Sequence, residues 1–236
     1  MKQLHFIVQA KGGVGKSMLT YLLGLARDND KNQSLFVDVD SSTQTSTRQL
    51  KFLGENRTET LSLLNSNEAL VRDNLVTYLE SLIDVPFHNI YFDLGSPESE
   101  QLPALNNRDL SLKEFMDELG FKAHFHIVIG GGGAYKSSII YMKRVIDSLN
   151  GDFDVTIWKS ITTFNNFQNL AEELAENCKK MKLPLRQFGD FDPSSNLGSQ
   201  ILDGVRKGYS LSDYQTGARL KLKKELTENF RDETEN

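Results

Sequence analysis

The sequence predicts an α/β fold, a mostly parallel, twisted sheet with helices on both faces, in a single domain spanning residues 1–236. Three observations carry this reading. Short apolar runs alternate with stretches of helical period, the rhythm of successive βαβ units. The apolar runs are nearly continuous, as strands are when helices cover both sheet faces. No linker rich in Gly, Pro or Ser divides the 236 residues, and 39% hydrophobic with 25% charged residues is ordinary globular composition.

The elements follow in order. A strand is expected at Leu4–Val8, and glycines and lysines come directly after it. A helix opens at Ser17 and runs to Arg27, with Leu19, Leu22, Leu23 and Ala26 on one side. A second strand covers Leu35–Val39. The stripe Leu75, Leu79 and Leu82 marks a helix that stops at Asp84–Pro86. Strands are then expected at Asn89–Leu94, His124–Ile129, Val155–Ile161 and Leu185–Phe188. Between the last two, Phe167, Leu170, Leu174, Cys178 and Met181 recur at helical spacing, so Cys178 reads as a small core-facing hydrophobe. The end from Thr227 to Asn236 is acid-rich, with little apolar content beyond Phe230, and its last roughly nine residues are expected to fray.

Composition excludes several classes. No run approaches the roughly 18 apolar residues that cross a bilayer, and the apolar stretch at the start is too short for a secretory signal. The one cysteine excludes an internal disulfide and an internal CxxC site, and fits a reducing, cytoplasmic setting. A net charge of −5 argues against a globally basic nucleic-acid binder, but not against a local basic patch.

Lys11-Gly12-Gly13-Val14-Gly15-Lys16-Ser17 is the most informative segment, because it leaves a strand and opens a helix, the context a P-loop requires. Glycines let backbone N–H groups turn inward around a phosphate, and the helix N-terminus adds positive potential. Lys16 reaches the β/γ oxygens, and the Ser17 hydroxyl ligates Mg²⁺. Ala10 stands where the general pattern has its first glycine, so the segment fits the deviant form K-G-G-x-G-K-[ST].

That loop resembles the one in the ParA/MinD group of P-loop ATPases. Leu35–Asp40 resembles the group's V-D-x-D switch segment, and Ile90–Gly95 its Walker B strand. Within the group, the start "HFIVQAKGGVGKSML", the strand "FHIVIGGGGA", the "VTIW" strand and the "ARLKLKKEL" helix are similar to TraL-type proteins of conjugative plasmids. The resemblance implies a P-loop NTPase that binds ATP/ADP with Mg²⁺ and turns ATP over slowly. It would act as a nucleotide-dependent homodimeric switch in plasmid partition, maintenance or conjugative transfer, with a protein partner of that apparatus. Residue by residue it implies nucleotide contacts from Lys11, Gly12, Gly13, Val14, Gly15, Lys16, Ser17 and Met18. Lys11 would reach the partner protomer's phosphates, in the manner of an arginine finger. Asp40 would position the attacking water; Ser17, Asp38 and Asp93 would serve Mg²⁺ and its water shell; Gly95 would let the following segment respond to the γ-phosphate.

Two stretches depart from the pattern. Ser41-Ser42-Thr43-Gln44 replaces the group's usual continuation after V-D-x-D, which leaves a non-hydrolysing, nucleotide-gated scaffold as an alternative. Ser160 stands where relatives read adenine with Asn, with Asn165 and Asn166 a few residues on. Other features keep open readings. Gly130–Gly133 is a second phosphate contact, a switch loop, or a loop that admits only small residues. His124 and His126 share a strand face, without Cys or carboxylate partners at metal-ligand spacing. Arg219, Lys221, Lys223 and Lys224, beside the stripe Leu222, Leu226 and Phe230, make a non-specific DNA patch, a MinD-like membrane helix, or a packed helix with a solvated basic face. The single cysteine disfavours a cluster shared between subunits, which needs two cysteines from each.

Overall fold

The computed structural model describes residues 1–30, 34–41 and 45–231. The chain runs β1 (Lys2–Val8), α1 (Lys16–Ala26), β2 (Ser34–Val39), α2 (Thr45–Gln49), β3 (Thr58–Thr60), α3 (Asp73–Ser81), β4 (Asn89–Leu94), α4 (Ser96–Ala104), α5 (Leu112–Glu118), β5 (Phe121–Ile129), α6 (Tyr135–Leu149), β6 (Asp154–Ser160), α7 (Ile161–Phe164), α8 (Gln168–Met181), β7 (Leu185–Phe188), α9 (Asn196–Lys207) and α10 (Thr216–Asn229). The strands form one sheet in the order β3-β2-β4-β1-β5-β6-β7, and all pairings are parallel. Strand β1 lies centrally between β4 and β5: its own connection runs to β2 on one flank, and the connection from β4 crosses to β5 on the other. The crevice outside the carboxyl ends of the strands opens at that point.

The central strands feed two cores through their pleat. Leu4, Phe6 and Val8 join one face, where Phe6 stacks between Phe92 and Phe125 at 4.8 and 5.1 Å. Ile7 joins the other face with Phe36, Tyr91 and Trp158. Helix α1 is buried on nearly all sides, between the sheet and α2 and α10. That is why its apolar set extends past the expected stripe to Tyr21 and Leu25. Tyr21 keeps its hydroxyl satisfied through Tyr214 and the Tyr209 carbonyl, both at 2.7 Å.

The structure corrects four sequence expectations. The edge strand β3 carries only Thr-Glu-Thr, too short and polar to show an apolar run. Ile161 is not strand; it opens α7. On α8 only the middle of the stripe is core: Leu174 and Cys178 are buried, while Phe167 and Met181 are exposed at its ends. The chain does not fray at Thr227, because α10 continues to Asn229 and the fully buried Phe230 stacks on Trp158 at 5.2 Å. The expected tail beyond Arg231, and Ser42–Gln44 of the departing switch segment, lie outside the described residues.

Candidate functional site

Strand β1 ends at Val8, and the chain turns through the glycines before α1 begins at Lys16. Gln9, fully buried, shapes this turn. Its amide nitrogen donates to the Val128 carbonyl at 2.8 Å, and its amide oxygen accepts from the Lys11 N–H at 3.1 Å. Gly15 sits at φ +105°, a left-handed conformation that a side chain rarely adopts. Its α-carbon also faces Ser160 and Phe188, with room for no more than a tight Cβ. Helix α1 therefore begins with no side-chain cap and no acid in its first turn. A capping side chain is worth about 1 kcal/mol, and α5 and α9 each have one in Ser111 and Ser195. At α1 the first N–H groups are left facing the loop, which suits an anion.

Lys16, 9% exposed, lies at the floor of this turn. Its Nζ donates to the Gln9 carbonyl at 2.8 Å and to Ser96 Oγ at 3.3 Å. Burial lowers its pKa, and the charges of Asp93, Asp40 and Glu98 oppose that shift. The loop, Lys16, Ser17 and Met18 line a cavity of about 730 Å³ together with Asp40, Thr45, Gln49, Asp93, Leu94, Gly95, Ser96, Pro97 and Arg206. Val14 is absent from that lining: its side chain is buried in the core, which leaves only its backbone for a ligand. Lys11 is exposed and does not line the cavity.

Asp38 and Asp93 are direct register partners on β2 and β4, which puts both carboxylates on the same side of neighbouring strands. Both are 4% exposed. Asp38 Oδ2 accepts from the Thr47 N–H at 2.8 Å and its hydroxyl at 3.0 Å. Burial still pushes the Asp38 carboxyl up to about 6, with Asp93 and Asp40 adding to the rise. Asp93 Oδ2 accepts from the Ser46 hydroxyl, while Oδ1 is buried without a hydrogen-bond partner. Burial raises the Asp93 pKa, against the Lys16 charge and the nearby hydroxyls of Ser46, Ser17 and Thr20. Asp93, buried with one oxygen unspent and near the Ser17 hydroxyl, offers hard oxygen donors of the kind Mg²⁺ prefers, whereas Asp38 is spent on Thr47 and does not line this cavity. The residues present therefore fit that ion. Asp40 lies half-buried at the cavity wall, at the end of β2.

Several residues in this constellation carried no sequence signal: Gln9, Ser96, Glu98 and Arg206. Each reaches the site through the fold rather than through spacing. Arg206 comes from the last turn of α9, where Asp203 holds its guanidinium at 2.8 Å.

Other candidates fall elsewhere. Gly130–Gly133 does not line the phosphate cavity. Gly131 donates its N–H to Thr163 Oγ1 at 2.8 Å and leaves no space for a side chain, which favours the small-residue reading. Ser160 is packed beneath Gly15, and Asn165 and Asn166 are exposed. His124 and His126 are joined by His5 across β1 and β5, the one potential three-ligand group among the described residues. Trp158 donates its indole N–H to His126 Nδ1 at 3.0 Å, and His126 Nε2 meets His5 Nδ1 at 3.1 Å. An indole nitrogen only donates, so neutral His126 carries its proton on Nε2 and has no lone pair left for a metal. Burial keeps it neutral, well below the usual imidazole range.

On α10 the stripe Ala218, Leu222, Leu226 and Phe230 is spent on the core. The cations divide along its two flanks, Arg219 with Lys223 and Lys221 with Lys224, and Lys224 pairs with Glu228 at 3.7 Å. No described helix is long and apolar enough to cross a membrane.

Known structures share this architecture. The septum site-determining protein MinD from Pyrococcus horikoshii, solved with Mg-ADP, matches at TM-score 0.58 and 16% identity over 100% of both chains. The MinD cell division protein of Aquifex aeolicus matches at 0.53 and 15%, covering 96% of this chain and 97% of its own. A nucleotide-binding protein from Archaeoglobus fulgidus, solved with ADP, matches at 0.50 and 13% over 87% of each chain. At these identities the likeness is one of fold. Among curated proteins there is no match. The sequence does match one family over residues 5–223, nearly its whole length, and the chain thus belongs to the CobQ/CobB/MinD/ParA nucleotide-binding domain family.

Proposed function

We propose that this protein is an ATP-binding, slowly hydrolysing switch that dimerises around nucleotide and acts in plasmid partition, maintenance or conjugative transfer. The carrying observation is the uncapped start of α1 with the Lys16 ammonium at its floor, beside the in-register carboxylates Asp38 and Asp93. A triphosphate supplies the anion that the uncapped N–H groups and Lys16 would receive, and Mg²⁺ the cation that a carboxylate would hold. Solved relatives of the same fold hold ADP or Mg-ADP, which supports the same ligands here. Ser17 and Asp93 would hold Mg²⁺ directly or through its waters, and the ion would neutralise charge on the phosphate oxygens.

The chain's own residues do the rest. Backbone N–H groups of Gly12 to Ser17 cradle the phosphates. Lys16 leaves the Gln9 carbonyl and Ser96 for the β/γ oxygens. Asp40, at the cavity wall, orients the attacking water, and Lys11 serves the partner's phosphates. A MinC:MinD complex of the same fold is known from Aquifex aeolicus, which supports a protein partner in general. The TraL-type setting and DNA as the recruited surface remain part of this proposal. The burial of the α10 stripe weighs against the lipid-binding alternative.

Titrating ATP·Mg²⁺ by calorimetry tests the reading. Lys16→Ala is expected to weaken binding about tenfold or more, since it removes the loop's own side-chain cation. Equal affinity in mutant and parent would overturn it. Turnover measured with and without DNA separates the switch from a non-hydrolysing scaffold.

A further inference from the structure

We propose that Glu98 is a positioning residue that ties the Asp40 segment to the first turn of α4, so that occupancy of the phosphate site sets where Asp40 stands. The proposal rests on the switch reading above.

Glu98 is the third residue of α4. An acid there usually gains a little from the helix dipole while staying in water. Glu98 instead is 2% exposed, and a buried carboxylate is costly unless its hydrogen bonds do specific work. Its Oε1 accepts the Ser41 N–H at 3.2 Å, immediately after Asp40. Its Oε2 is buried without a hydrogen-bond partner, and points over Gly95. A Cβ on Gly95 would come within 2.2 Å of that oxygen and 3.3 Å of Asp40 Cα. Glycine at this position therefore makes room for the carboxylate. The same joint is closed on its other side by the Gly95 N–H, which donates to the Val39 carbonyl at 2.8 Å.

The first turn of α4 thus touches both halves of the site. Ser96 Oγ accepts from the Lys16 ammonium at 3.3 Å, and Glu98, two residues on, holds the backbone beside Asp40. When a phosphate takes the ammonium, Ser96 loses that tie. Any shift of the turn then passes through the Glu98–Ser41 hydrogen bond to Asp40. Burial of Glu98 makes this link stiff: its carboxylate has no water to fall back on.

The test uses the full chain, with Glu98→Ala and Glu98→Gln. Glu98→Ala is expected to lower kcat about tenfold or more while ADP·Mg²⁺ affinity stays within about threefold of the parent. Glu98→Gln keeps a carbonyl that accepts from Ser41, and is expected to stay within about threefold in both. Amide exchange at Ser41 should speed up in Glu98→Ala alone, and should respond to nucleotide in the parent but not in that variant. Parent-like turnover in Glu98→Ala, equal damage in Glu98→Gln, or joint loss of ADP binding and turnover would overturn the proposal. If the parent shows no turnover, the enzymatic reading is what fails. Exchange then decides: a nucleotide response at Ser41 that Glu98→Ala abolishes supports the tie, and its absence in the parent overturns it.

Discussion

In the proposed switch, position would divide work between the chemically identical side chains of Asp93 and Asp40. Asp93 is buried with one oxygen unspent, next to Lys16 and the hydroxyl of Ser17, so in the proposed switch its charge would serve a cation. Asp40 stands at the end of β2 on the cavity wall, where a water has access to it. Asp93→Asn is expected to raise the Mg²⁺ needed for half-maximal nucleotide binding by about tenfold to a hundredfold, the usual effect of losing a carboxylate that orients a metal's shell. Asp40→Ala is expected to cut turnover by about 10²–10⁴ while ATP binding persists. Parallel Mg²⁺ titrations and single-turnover assays check both. Loss of binding in Asp40→Ala, with normal turnover per bound site, would reverse the assignment. These acids were legible in the sequence because each ends a strand next to the glycine loop. Gln9, Ser96, Glu98 and Arg206 were not, because nothing local marks them. Ser96 follows the Asp93 strand as an ordinary helix start, and only folding brings it to Lys16.

At the scale of elements, apolar runs announced six of the seven strands, and Asn89–Leu94 and Leu185–Phe188 end where expected. β3 escaped because Thr58, Glu59 and Thr60 pair along one edge and bury little, so backbone pairing rather than apolar content defines it. The end of α10 misled for the opposite reason. Acidic neighbours hid Phe230, whose ring fills a place beside Trp158 that no other part of the sequence indicates. α10 is therefore a wall of the α1-side core, and its last apolar residue closes that wall. Phe230→Ala is expected to cost about 3–5 kcal/mol, the range for truncating a buried aromatic. Urea unfolding followed by the fluorescence of the single Trp158 reads the loss directly. A change under about 0.5 kcal/mol, as for a surface residue, would mean that the ring is not packed there in solution. Nucleotide affinity should be unaffected, since neither Phe230 nor Trp158 lines the phosphate cavity.

For the whole molecule the telling residue is Lys11. The fold gathers the phosphate loop, Asp40, Asp93 and the start of α4 at the carboxyl edge of the sheet, where the cavity opens outward. The protomer's own cradle already holds Lys16 at its floor, whereas Lys11 is exposed. Its backbone N–H donates to the Gln9 side chain. An exposed cation that does not line its own cavity does little for a phosphate inside it, but is available to whatever approaches the cavity mouth. If a second protomer approaches, each Lys11 meets the other's nucleotide, and phosphate charge joins the two. Without nucleotide, two lysine-bearing loops repel, so dimerisation becomes linked to nucleotide by mass action. Lys11→Ala is therefore expected to keep ATP affinity within about threefold while losing both nucleotide-driven dimerisation and hydrolysis. Sedimentation of parent and mutant with ATP·Mg²⁺ or a slowly hydrolysed analogue measures the first, and phosphate release the second. A parent that stays monomeric when saturated, or a mutant that dimerises and hydrolyses like the parent, would remove Lys11 from the mechanism. Catalysis would then have to come from within one protomer, where Arg206, reaching the same cavity from α9, is the remaining cation to test.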